Sequence, residues 1–96
     1  MDKIKDAIDY LEGSIVKFSE LRKLVNSSTD IKQKTKLNET LYEIMEDAKE
    51  YIKEYNLYQI ALDVDNAKPR FDGLINTRYF EKDIGYLVMN LKAKVQ

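Results

Sequence analysis

Glu43, Glu46, Asp47 and Glu50 are the residues best placed to do chemistry. Their three- and four-residue spacing puts four carboxylates along one side of an α-helix, and carboxylates so gathered are hard oxygen ligands for magnesium or calcium. The rest of the chain supplies no reactive partner for them. Its 96 residues include no His and no Cys, which removes the usual general base, the thiolate nucleophile and the nitrogen and sulfur metal ligands. Ser14, Ser19, Ser27 and Ser28 have no recognisable activating neighbour, and Gly13, Gly73 and Gly85 form no phosphate-cradling loop. No catalytic residue, metal ligand or cofactor is assigned.

Glu43-x-x-Glu46 resembles the first half of the signature of MazG-like pyrophosphohydrolases, which pair E-x-x-E with E-x-x-D on a following helix. The resemblance implies a magnesium-dependent, all-α nucleotide hydrolase. The second half is missing: three residues after Glu54 stands Leu57, and three after Glu81 stands Ile84. The Arg-to-His motif of the HEPN helical ribonucleases is excluded by the lack of His. The chain is therefore expected not to be an enzyme.

The carboxylates sit on a helix that the apolar pattern defines. Leu37, Leu41, Ile44, Ala48, Tyr51, Tyr55, Tyr58 and Leu62 step by four and three, the spacing of a single helical stripe. Glu39, Glu43, Glu46, Asp47, Glu50 and Glu54 form a second stripe, roughly 150° around at ~100° per residue. The other helices are expected to pack around this one. Asp30 followed by Gln33 resembles a capping box, so the helix should begin near Ile31. Its charges oppose its own dipole, with Lys32, Lys34 and Lys36 at the positive end and Glu50 and Glu54 towards the negative end. Asn56 either caps it, or the stripe carries it onward and 57–64 is part of it rather than a short fourth helix.

Two further helices follow from the same periodicity. In residues 2–25, Ile4, Ile8, Leu11, Ile15, Phe18 and Val25 make a core stripe with Ala7 alongside, and Gly13 falls on the opposite face. Arg22 interrupts this stripe: either its stem covers the end of the core while its head reaches water, or it is a paired, partly buried Arg. Pro69 marks residues 65–70 as a loop that no helix crosses, and Phe71 should anchor its far end. In residues 76–95, Phe80, Ile84, Leu87, Val88, Leu91 and Val95 face the core. Ile75, Tyr79, Tyr86, Met89 and Ala93 form a second apolar series at the opposite azimuth. An outer helix of a bundle needs one apolar face, so either the 57–64 segment covers this second face or another molecule does.

The expected fold is all-α: an antiparallel up-down bundle of three long helices (about 2–25, 31–56 or longer, and 76–95), with a short fourth near 57–64 as the alternative to extension. The whole of 1–96 reads as a single domain, either complete or a module of a longer chain. Its 44% hydrophobic and 34% charged residues suffice for a real core and exclude disorder. The N-terminus lacks a secretory apolar segment and no run approaches the ~20 residues that span a bilayer. With zero Cys, a cytoplasmic location is expected.

Partners are bounded by charge and by tyrosine. Net charge is −1, with 37–58 at −4, 26–36 at +2 and 77–96 at +2. Lys32-x-Lys34-x-Lys36 and Lys68-Pro69-Arg70 are too short and too separated to make nucleic acid the first expectation; a nucleic-acid-associated regulator is the alternative. No single helix combines a basic polar face with a strongly apolar one, so no membrane role is expected. What remains is a protein–protein interaction domain, a homodimer or a small binder of another protein. The second form is similar to phage-encoded inhibitors and bacteriocin-immunity proteins in size, helical class and composition alone. The bias towards Lys, Ile, Asn and Tyr fits an AT-rich genome, as of a low-GC bacterium or its phage. The candidate partner-binding residues are Glu43, Glu46, Asp47, Glu50, Glu54, Tyr51 and Tyr58 on the acidic flank, and Tyr79, Tyr86 and Met89 on the last helix.

Overall fold

The computed structural model describes residues 3–62 and 77–95, with side chains of the last helix described from Tyr79 on. Among these residues there is no strand, and four helices form: α1 (Lys3–Ser27), α2 (Ile31–Glu54), α3 (Leu57–Leu62) and α4 (Thr77–Lys94). The all-α fold with three long helices is as the periodicity predicts, and of the two alternatives for 57–64 the structure takes the short separate helix. The loop at 65–70, Phe71 and Ile75 lie outside the described residues.

Local chemistry sets each boundary. Ser28 N–H returns to the Val25 carbonyl at 3.3 Å, closing α1. Asp30 then takes an extended conformation (φ −89°, ψ 118°), and its Oδ1 accepts from the Lys32 N–H at 3.1 Å, which starts α2. The capping box is only half formed, because the Gln33 side chain meets the Ser28 hydroxyl at 3.4 Å. Asn56 decides where α2 ends. It is left-handed (φ 54°), its N–H reaches the Lys53 carbonyl, and its own carbonyl accepts from the Ile60 N–H at 3.0 Å. One residue thus closes α2 and opens α3, so Tyr58 and Leu62 do not continue the α2 stripe.

The core contains Ala7, Ile8, Leu11 and Phe18 of α1, Leu41, Met45, Ala48 and Ile52 of α2, Leu57, Tyr58 and Ala61 of α3, and Phe80, Ile84, Leu87, Val88 and Leu91 of α4. In α2 this is the expected stripe turned by part of a residue step. Met45 and Ile52 are buried, Ile44 and Tyr51 are half-buried along α1, and Tyr55 is exposed. Full burial of a side chain such as Ile52 contributes about 1.5–3 kcal/mol.

The hub is α1 rather than α2. It packs along both α2 and α4, while those two touch each other far less. Phe18 meets Phe80 with ring centroids 4.5 Å apart, and Tyr10 stacks on Tyr51 at 4.0 Å. Arg22 pairs with Glu81 at 2.7 Å and Glu12 with Lys92 at 2.8 Å, so numbers that rise along α4 fall along α1. Arg22 is thus paired but still about half exposed, a combination of the two expected readings. α4 is antiparallel to α1, as is α2, and the two therefore run in the same sense. Strict alternation of the three long helices would instead have made α4 parallel to α1. The short α3, packed against α4 and touching α2, lies between them in sequence.

Candidate functional site

Two outward helix faces carry the candidate residues. The first belongs to α4. Its inner side buries Phe80, Ile84, Leu87, Val88 and Leu91, which leaves the opposite azimuth to Tyr79, Lys82, Tyr86, Met89 and Ala93. Tyr79, Tyr86 and Met89 are 47%, 48% and 60% exposed. α3 packs against α4 without covering this stripe, so the first of the two explanations for a doubly apolar helix fails. Tyr79, Lys82, Asp83 and Tyr86 line a shallow depression with a charge on either side of the two rings.

The second face is the outer side of α2. Glu39, Glu43, Asp47, Glu50 and Glu54 are exposed and Glu46 is half-exposed. With the buried stripe running through Met45 and Ile52, Glu39, Glu43 and Glu50 lie on the side away from the core, while Asp47 borders Tyr10 of α1 and Glu54 lies near Lys3 and Ile4. Lys49 reaches Glu46 at 3.8 Å from a mostly buried position. Among the described residues, no group of three or more His, Cys, Asp or Glu is arranged to hold a metal ion.

The tyrosines on this face are not those the sequence suggested. Tyr58 is 3% exposed and belongs to the core of α3, because the left-handed turn at Asn56 breaks the α2 stripe before it. Tyr51 is held within the molecule, stacked on Tyr10 and tilted against Tyr55 at 4.7 Å. Tyr42, which the core-stripe reading passed over, is 44% exposed and lines a shallow depression with Glu39, Glu43, Glu46 and Asp47. Its signal was present in the sequence: an aromatic off the core stripe, flanked by acids three residues before and four after.

The Tyr10–Tyr51 pair carries the clearest electrostatic perturbation. Burial pushes the Tyr10 phenol above the ordinary value of 10.0, the Asp47 carboxylate raises it further, and the Ser14 hydroxyl partly opposes both. Burial also raises Tyr51, helped by Tyr55, Asp6, Tyr10 and Glu54. Both shifts favour the neutral phenol, and the two rings serve the α1–α2 contact.

The α4 and α2 faces each point away from the common core in different directions, so the structure does not merge them into a single surface. The chain matches no protein-family model, no curated protein and no solved structure.

Proposed function

We propose that this chain is a protein–protein interaction domain, acting in the cytoplasm without catalysis, and that its contact surface is the outer face of α4. The observation that carries the reading is the line of Tyr79, Tyr86 and Met89, each about half exposed or more, on a helix whose other side is fully buried. Tyrosine and methionine are enriched where proteins meet, because they bury large area and adapt to the partner's shape. A second copy of the chain is the first partner to test. Light scattering from micromolar to millimolar concentration should show the mass rising above 11.3 kDa, and Tyr86→Glu should hold it there with helix content unchanged. A mass that stays at 11.3 kDa throughout overturns self-association.

A second reading is capture of a basic protein by the acidic side of α2. It rests on Tyr42, an exposed ring set among Glu39, Glu43, Glu46 and Asp47. Reversing Glu46 and Glu50 to Lys should abolish binding to such a partner and leave the fold intact.

A further inference from the structure

The end of the α1–α2 hairpin projects beyond the core. The last fully buried residue of α1 is Phe18 and the first of α2 is Leu41. Between Arg22 and Lys36 every residue except Val25 and Ser28 is exposed. Val25 still packs on the rim of the core and Arg22 on Glu81, so it is the turn and the first turns of α2 that are most open to solvent. This projection carries Leu24 at 52% and Ile31 at 79% exposure, the latter the most exposed large apolar side chain described. Nothing in the packing of the bundle requires an Ile there.

Charge is concentrated in the same place. Residues 21–38 hold Arg22, Lys23, Lys32, Lys34 and Lys36 against the single acid Asp30, a net +4, although the whole chain is −1. Arg22 is engaged by Glu81, and Asp30 caps α2. The four lysines are exposed, and Glu20 and Glu39 are the nearest acids in sequence on either side. The first turn of α2 contains no acid of its own.

We propose that this tip is a peripheral docking element for an anionic lipid surface. Lysines attract acidic headgroups at about 1 kcal/mol each near the surface, and exposed aliphatic side chains add area that can enter the headgroup boundary. Asn26 and Ser27 at the end of α1, and Ser28 and Thr29 in the turn, are small and polar and let the tip approach closely. Nucleic acid fits less well. The tip has no aromatic ring on which a base could stack, and an exposed Ile and Leu gain nothing from phosphates. Judged helix by helix, the sequence showed no basic amphipathic segment. The surface exists only because the fold brings two helix ends together. It shares no residue with the α4 stripe and does not depend on the function proposed for that stripe.

Sedimentation with vesicles of phosphatidylcholine alone, and of equal phosphatidylcholine and phosphatidylglycerol, tests the proposal. The protein should partition onto the anionic vesicles only, and salt at about 0.5 M should release it. Lys32→Gln, Lys34→Gln and Lys36→Gln should each lower the partition coefficient about five-fold. Ile31→Ser should lower it with the salt dependence retained, and Tyr86→Ser should leave it unchanged. Circular dichroism should show the same helix content in every variant, since all these side chains are exposed. Failure to bind anionic vesicles at low salt overturns the proposal. So does binding that the lysine and Ile31 variants leave intact, or tighter binding to a nucleic-acid duplex on which Ile31→Ser has no effect.

Discussion

Tyr10 and Tyr51 lie face to face across α1 and α2, their ring planes 10° apart and their centroids separated by 4.0 Å. Tyr55 tilts against Tyr51 at 48°, with centroids 4.7 Å apart, so three phenols are linked by ring contacts at this edge of the bundle. Such contacts contribute about 0.5–1.5 kcal/mol beyond the area they bury. They also link the α1–α2 contact to pH.

Because both Tyr10 and Tyr51 have their pKa raised in the folded protein, each binds its proton more tightly folded than unfolded. Their contribution is complete below the unfolded value of 10.0 and is lost as pH rises through the folded values. Denaturant melts at rising pH should therefore show stability falling above pH 10.0, and Tyr51→Phe should fall less steeply over the same range. Parallel curves for the two proteins would contradict this.

Phe18 and Phe80, both 0% exposed, hold α1 to α4. Phe80→Ala should cost about 3–5 kcal/mol in urea unfolding. The neighbouring Arg22–Glu81 pair is 46% and 27% exposed, and water screens it. Glu81→Gln should cost less than about 1 kcal/mol, and less still in high salt. The contrast assigns the α1–α4 contact to packing and leaves the ion pair to set direction.

At Asn56 the backbone, not the side chain's size, decides the outcome. Its φ of 54° suits Gly and Asn and strains other residues. Asn56→Gly should leave the melting temperature nearly unchanged. Asn56→Ala should destabilise by about 1–2 kcal/mol. Equal stability of the two would mean that the chain does not need this turn.

Gly13 is an exposed helical position, and a Cβ added there meets nothing within 4 Å. Gly13→Ala should stabilise by about 1 kcal/mol through helix propensity alone. Thermal denaturation followed by circular dichroism checks it.

The sequence by itself determined the elements. Three- and four-residue spacing marked α1 and α4 to within about two residues and Asp30 marked where α2 begins, because these signals are local and written in neighbouring side chains. The end of α2, at Asn56 or beyond it, stayed open until the backbone turn there decided it. The exposed apolar row Tyr79, Tyr86 and Met89 was also legible, since no bundle helix needs two apolar sides. The phase of the α2 stripe was not. Ile44 and Met45, and Tyr51 and Ile52, are adjacent apolar pairs, so two stripes a residue apart fit the pattern equally well. Only the positions of α1 on one side and of α3 and α4 on the other selected Met45 and Ile52 for burial. The tertiary structure likewise took Tyr58 from the candidate surface, gave Tyr51 to Tyr10 and left Tyr42 among the acids. It alone brought the lysines and Ile31 at the start of α2 beside the end of α1. Periodicity records which side of a helix is apolar. Which neighbour that side meets, and where two helices end together, depends on contacts far apart in the chain.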